Sequence, residues 1–358
     1  MNALSDRLKS ARRMRGWSLQ EMSDQLKNRV SKQSLHKYEQ GVVVPDNYML
    51  NELCYTLNIR PDYLYRQPVA LGNLTFRKLN KLSATEQEIA IEKSKDLLAR
   101  YLELESLVGL SSEFKNPIVQ KIISGIDEAE SAAQIVRENW QLGNDPLPSV
   151  VELLENNEIK VLSIEAGNGF DGMSTFANSE VPIIVLNKNF GVVRRRFTAL
   201  HELGHLILKN NLPENIPEKE EEKLCHAFAA AMLLPKERLF FELGKKRMEL
   251  NLRELINIED KYGISVQAIL YLAKKLEIIT EYYYLNFIKR LNILYGKKTE
   301  FGKFLDIEQT KRFEQLLLRG ISEEAFTMSK AAELNNMKLS EFRDFIKFEK
   351  EDVVLSNI

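Results

Sequence analysis

Cysteine and histidine are both scarce in this chain, and each scarcity narrows what the protein can be. Two cysteines, Cys54 and Cys225, in 358 residues are too few for a disulfide scaffold and fall in different segments, which points to a reducing compartment, the cytosol. Long apolar runs are absent as well: none approaches the roughly 20 residues that span a bilayer. Residues Met1 to Arg7 lack the apolar stretch of a signal peptide. No membrane role is expected. Neither sign of charge dominates, since 50 basic residues meet 51 acidic ones for a net charge of −1. With 44% hydrophobic and 28% charged residues, the chain has the composition of a soluble globular protein. Its length allows two or three domains of about 100–200 residues each.

Only four histidines are present, yet His201, His205 and His226 fall within one short region. His201, Glu202 and His205 sit in the stretch Phe197-Thr-Ala-Leu-His-Glu-Leu-Gly-His-Leu-Ile-Leu208 with the spacing H-E-x-x-H. On a helix, four residues advance about 400°, so the two imidazoles share a face and one divalent ion. Glu202 stands beside them, where a carboxylate can take a proton from a water that zinc has acidified and so deliver hydroxide to a carbonyl. A core helix with two hydrogen-bonded imidazoles is the plain alternative. Flanking apolar residues on both sides (Phe197, Leu200, Leu206, Ile207, Leu208) favour a buried, site-bearing helix.

A catalytic zinc needs a third protein ligand and an open position. After a polar break, the run from Glu218 to Pro235 supplies acids followed by a small, apolar second half. Glu218 and Glu220 lie at the charged start of this helix, where acids are favoured in any case. Glu222 shares a face with Cys225, His226 and Ala229 and is the better ligand; Glu221 is a substitute. His226 is a second-shell donor or a rival ligand.

These two segments resemble the ImmA/IrrE family of zinc metallopeptidases, in which the second helix follows Glu-x-x-Ala-x-x-Phe-Ala and ends near Leu-Leu-x-Pro. Here the positions are Glu222, Cys225, Phe228 and Ala229, then Leu233-Leu234-Pro235, with Cys225 in place of the usual alanine. The resemblance implies Zn²⁺ as cofactor, Glu222 as third ligand, Glu202 as general base, and a zincin-like domain of a small sheet plus the metal helix.

Residues 1–67 differ from the rest in charge, carrying 11 basic and 7 acidic residues, and such a surplus suits a polyanion. Five short helical patterns follow one another: Ser5 to Arg15, Leu19 to Lys27, Ser31 to Tyr38, Asp46 to Leu57 and Arg60 to Tyr65. Ser18 and Ser31 serve as caps, and Gly16 and Gly41 as stops. The segment resembles the lambda-repressor-like (Cro/cI, or XRE) helix-turn-helix family, through Trp17-Ser-Leu-Gln-Glu-Met-Ser-Asp-Gln-Leu26, Val30-Ser-Lys-Gln-Ser-Leu-His-Lys-Tyr-Glu-Gln-Gly41 and Pro45. Its turn, Lys27 to Val30, is about two residues longer than the commonest form. The resemblance implies a double-stranded DNA operator as partner, with Lys32, Gln33, Ser34 and Lys37 as groove contacts and Gln20 and Arg29 on phosphate. Met22, Leu26, Leu35 and Tyr38 are core by spacing, and Glu39 is assigned to an internal ion pair. A helical packing module without DNA is the alternative.

Four segments are expected: the DNA-binding domain at 1–67, a linker with one long helix at 68–112, the peptidase-like domain at 113–275, and a helical region at 276–358. The fold class is mainly α with a small α+β part. The long helix, Leu82 to Leu110, is capped by Ser83 with Glu86 and fits a spacer, a dimer seam or a lid. A strand is expected at Ile159–Ile164 and, after the loop Gly167 to Gly172 and the segment Met173 to Asn178, a second apolar strand at Val181–Asn187. Pro182 argues that the last lies near a sheet edge, where a peptide could add as a further strand. Arg194-Arg-Arg196 puts positive charge at the unfavourable end of the metal helix, which calls for a partner: an acid of this protein, a peptide or nucleic acid. Helices are expected from Lys236 to Arg247 and onward, with Tyr282-Tyr-Tyr284 as packing or as an oxyanion donor. Residues 329–342 carry the rhythm of a helical hairpin, weakly like a second helix-turn-helix.

The two resemblances together imply a cytoplasmic DNA-binding regulator, able to form a homodimer, joined to a zinc endopeptidase that cleaves a repressor or antitoxin. Two rivals stand beside it. One is a non-proteolytic repressor or antitoxin whose zincin-like domain senses metal or a protein partner. The other is a structural zinc domain closed by His226 or Cys225.

Overall fold

A computed structural model describes residues 3–72, 82–110, 113–119, 122–296, 299–305 and 308–352, with side chains through 347. The N-terminal unit consists of α1 (Ala3–Met14), α2 (Leu19–Gln25), α3 (Lys32–Glu39), α4 (Asn47–Leu57) and a 3-10 turn at Pro61–Tyr65. Ser18 and Glu21 cap α2 reciprocally, Ser31 caps α3, and Asp46 caps α4. The long turn between α2 and α3 is closed by Lys27 and Asn28, both with positive φ. Asparagine tolerates this conformation and lysine is strained by it. Leu8, Met22, Leu26, Leu35, Leu53 and Leu57 fill the core, and Glu39 pairs with Arg12 at 2.6 Å.

A single helix, α5 (Ala84–Leu107), follows under a reciprocal cap between Ser83 and Glu86. It joins the two halves of the molecule. Gly16 (φ +70°) leaves room for Ile89 and Thr85 of α5, and Arg13 pairs with Glu88 at 3.0 Å. On its other side, Glu105 meets Lys160, a buried cation at the start of the sheet, at 2.6 Å.

Next come α6 (Ile126–Asn139), α7 (Val150–Asn156), β1 (Lys160–Ile164), β2 (Gly172–Ala177), β3 (Val181–Asn187) and α8 (Val192–Leu208). The three strands form one sheet in the order β1-β3-β2, with β1 parallel and β2 antiparallel to β3. β3 therefore lies in the middle, which corrects the expectation that Pro182 marks an edge. Pairing with β1 begins only at Ile183, so the proline sits just outside that ladder. The unbroken apolar run of β3 has a different cause: both faces of the sheet are covered. One face, with Val161, Ile184 and Leu186, joins the core built with α6–α8. The other, with Leu162, Met173, Ile183 and Val185, packs on Leu98, Tyr101 and Leu104 of α5.

The chain continues through α9 (Glu218–Leu233), α10 (Lys236–Leu243), α11 (Leu252–Tyr262), α12 (Val266–Lys275) and α13 (Glu281–Tyr295), all packed around the first core. α10 stops at Gly244, whose φ is +79°, shorter than the helix to Arg247 read from the sequence. α14 (Arg312–Ser322), α15 (Met328–Leu334) and α16 (Leu339–Asp352) send Leu317, Leu334 and Phe342 into the second core. The 329–342 hairpin thus caps the outer face of the sheet.

The basic start of α8 finds its partners inside the protein. Arg196 is fully buried, pairs with the equally buried Glu308, and donates to the carbonyls of Pro148 at 3.0 Å and Leu147 at 2.6 Å. Glu308 also accepts from the N–H groups of Val150 and Val151 at 2.8 Å, capping α7. Arg194 pairs with Asp171. Replacing Glu308 with leucine takes away the carboxylate that faces a buried guanidinium and is expected to cost about 3–5 kcal/mol. Urea unfolding should show this loss, and the double variant Arg196→Met with Glu308→Leu should recover part of it.

Candidate metal centre and DNA-facing helix

α8 and α9 cross closely because Gly204 has no side chain: a methyl group there would lie 3.2 Å from Cys225 Cα and 3.4 Å from its Sγ. That contact lines up one turn of each helix. His201 and His205 project from α8 with their Nε2 atoms 3.2 Å apart. Glu222 reaches across from α9, 3.1 Å from His201 Nε2 and 3.2 Å from His205 Nε2. The three make up a compact group of possible metal-ligand atoms.

These separations can be tested against a real coordination shell. Ligands about 2.0–2.1 Å from a tetrahedral ion lie about 3.3 Å from one another, which the two imidazole nitrogens at 3.2 Å nearly match, while each Glu222 oxygen faces one of them. Two imidazole nitrogens and one carboxylate oxygen are also the donor set of a site that keeps a position open. His201 is buried and Glu222 about one-third exposed, so the open side faces Glu222. The residues present fit a divalent ion.

Neighbouring groups fix this arrangement. Glu221, which the sequence offered as a substitute ligand, instead sits 3.0 Å from His205 Nδ1, and a carboxylate on the far nitrogen sets the ring's tautomer and orientation. Burial pushes the His205 pKa down, but hydrogen bonding to Cys225, Glu221 and Glu222 outweighs it and brings the value up to about 11. His226 stacks over His201, ring centres 4.4 Å apart, and beside Phe197 at 5.6 Å. It stands next to the ligand group, with no ligand atom inside it.

Glu202 is buried and reaches the sheet, where Ser174 of β2 donates to its Oε2 at 2.8 Å. Sequence reasoning missed Ser174, because nothing in a strand's residue pattern says which helix side chain it will face. Tyr283 is not turned to the site: its hydroxyl exchanges hydrogen bonds with the backbone of Leu250 at 2.8 and 3.0 Å.

On the N-terminal unit, Lys32, Gln33 and Lys37 are exposed along the outer face of α3. Ser34 is half-buried, with its hydroxyl 3.1 Å from that of Ser31. Gln20 bonds to Asp24 at 2.9 Å, and Arg29 pairs with Glu52 at 2.6 Å. Arg29 must therefore exchange a carboxylate for a phosphate to serve DNA.

Residues 155–274 match the peptidase M78 family model, described as the IrrE N-terminal-like domain, and residues 6–68 match a helix-turn-helix domain model. The first match runs from α7 to α12 and contains the whole ligand group; the second contains α2 and α3. No curated protein matches the chain. The chain thus joins an XRE-type helix-turn-helix to an IrrE/ImmA-like domain of a peptidase family.

Metal uptake by this cluster requires His205 to lose its proton, so affinity should rise with pH and fall as pH drops, with about one proton released per ion near neutrality. Calorimetry of Zn²⁺ binding in buffers of different ionisation enthalpy measures that release. Glu221→Gln should weaken zinc binding by about 10–100-fold, read by competition with a chromogenic chelator.

Proposed function

We propose that this DNA-binding regulator is a zinc-dependent endopeptidase that cleaves a partner regulator, a repressor or an antitoxin. The observation that carries the reading is the division of labour on α8: two imidazoles turn toward Glu222 on α9, while Glu202, between them in sequence, turns toward β2 and Ser174. A helix needing only structural histidines has no use for a buried carboxylate beside an open ligand position.

His201, His205 and Glu222 would hold the ion, which supplies Lewis acidity that brings the pKa of a water toward neutrality. The choice of zinc rests on donor chemistry, since two imidazoles and one carboxylate suit a borderline ion. Glu202 would accept the proton of the attacking water and pass it to the leaving amine. Ser174 would steady that carboxylate, and the outer edge of β2, instead of β3, would hold the peptide as an added strand. Lys32, Gln33, Ser34 and Lys37 would enter the major groove, with Gln20 and Arg29 on phosphate, bringing the peptidase to regulators bound at the same operator.

A second reading has one observation in its favour. The edge of β2 is partly occupied by the chain itself, as a domain that binds a partner and never cuts it would tolerate. Glu202→Gln separates the two. It should keep zinc and DNA binding and lose cleavage by at least about 100-fold, the scale of general-base catalysis. Partner regulators blotted in cells carrying either form give the readout: a variant that keeps metal and the full cellular effect while cleavage is lost rules out proteolysis as the function, and one that retains cleavage rules out Glu202 as the base. On the DNA side, Lys32→Ala and Lys37→Ala should each weaken operator binding, with the salt slope falling by about 1 where a phosphate contact is lost.

A further inference from the structure

β2 is paired to β3 along one edge only. On the other edge the chain's own residues 70–72 lie antiparallel to it. Gly72 N–H donates to the Phe176 carbonyl at 2.8 Å, and Asn178 N–H donates to the Ala70 carbonyl at 2.9 Å. Ala70 N–H in turn donates to Asn178 Oδ1 at 3.3 Å, and Leu71 bridges Ala177. The side chains of Val69 and Leu71 rest on the second core.

Alternation along a strand turns the N–H and C=O of every second residue to the same side. Phe176 and Asn178 show which side that is, so Ser174 and Gly172 also aim their backbone groups outward, and no described residue bonds them there. Ser174 is the residue that touches Glu202. A peptide presented to the candidate site would thus use the same edge as residues 70–72.

We infer that residues 70–72 are an internal competitor for the substrate strand, holding the far end of the β2 edge so that an extended peptide must displace them to pair fully. The inference rests on the proposal that peptides dock along this edge. It does not require that they be cut. Two features make the competitor effective. The segment is tied to the DNA-binding unit just upstream, since the Arg7 guanidinium of α1 donates to the carbonyl of Arg66 at 2.9 Å and to that of Gln67. A strand held so close has a high effective concentration, on the order of millimolar, which a free peptide must overcome. Among the described residues, two backbone bonds hold the contact, from Gly72 to Phe176 and from Asn178 to Ala70, each with a net worth of only about 1 kcal/mol. Exchange is therefore feasible for a partner offering a longer extended stretch. Gly72 allows the close fit, as a Cβ there would lie 2.8 Å from the Phe176 oxygen.

The test uses full-length protein carrying Glu202→Gln, so that binding is read without cleavage, and reduced β-casein as an unfolded, extended probe. Gly72→Pro removes the donor to Phe176 and adds the clashing Cβ; Asn178→Ala removes the acceptor for Ala70 N–H. Each should raise casein affinity by about two- to tenfold, the equivalent of one hydrogen bond, in fluorescence anisotropy. Hydrogen exchange on the unsubstituted edge should show Gly72 N–H losing protection, and Ser174 N–H gaining it, when casein binds. Unchanged affinity in both variants, continued protection of Gly72 with casein bound, or no casein binding by any of the three proteins overturns the inference. A protein that binds casein as described but cannot cleave it with Glu202 restored would keep the inference and overturn the peptidase reading.

Discussion

Close contact between α8 and α9 is the constraint on which the candidate site depends. The candidate ligands belong to two helices, and the contacts of 3.1–3.2 Å among the two imidazole nitrogens and the Glu222 carboxylate hold only if the helix backbones approach more closely than two ordinary side chains permit. Gly204 against Cys225 provides that approach. Cysteine at this position, where alanine is usual in the resembling family, remains small enough to preserve it and lies within hydrogen-bonding reach of His205. The same turn of helix that narrows the gap thus also sets the charge around the imidazole.

A site this small must be held from outside. α8 is anchored at its start by the buried Arg196 and Glu308, which also tie in α7 and the carbonyls before it. A cation at a helix N-terminus opposes the helix dipole, but here the guanidinium is spent on a carboxylate and on backbone oxygens. At the other side, β2 lies across α8 because Gly172 leaves space for Thr198, and this puts Ser174 against Glu202. Two independent anchors therefore hold α8 in place, one just before His201 and one at Glu202.

The DNA-binding unit is attached through α5, which touches α1 along one side and the sheet along the other. What reads as a linker in sequence is a wall of the second core, shared with α14–α16. The outer face of α3 remains exposed, so DNA could be reached without detaching the unit. The strand at 70–72 makes the junction more than a tether, since it leaves the DNA-binding unit and lies against the strand nearest the ligand group.

Much of this was legible in the residues themselves. Capping pairs such as Ser18 with Glu21 and Ser83 with Glu86, and the stops at Gly16 and Gly41, are local devices whose energy lies within a few residues, so helix starts were visible directly. The spacing of His201, Glu202 and His205 is likewise a property of one helix. What only the tertiary structure decided were relations between elements: β3 in the centre of the sheet, Glu221 behind His205, Ser174 on Glu202, Glu308 on Arg196, and the packing of α5. Each joins residues that are remote in sequence or, for Glu221 and Glu222, adjacent and alike. Periodicity says which face of an element is buried, but which neighbour covers that face is set by the packing of the whole chain.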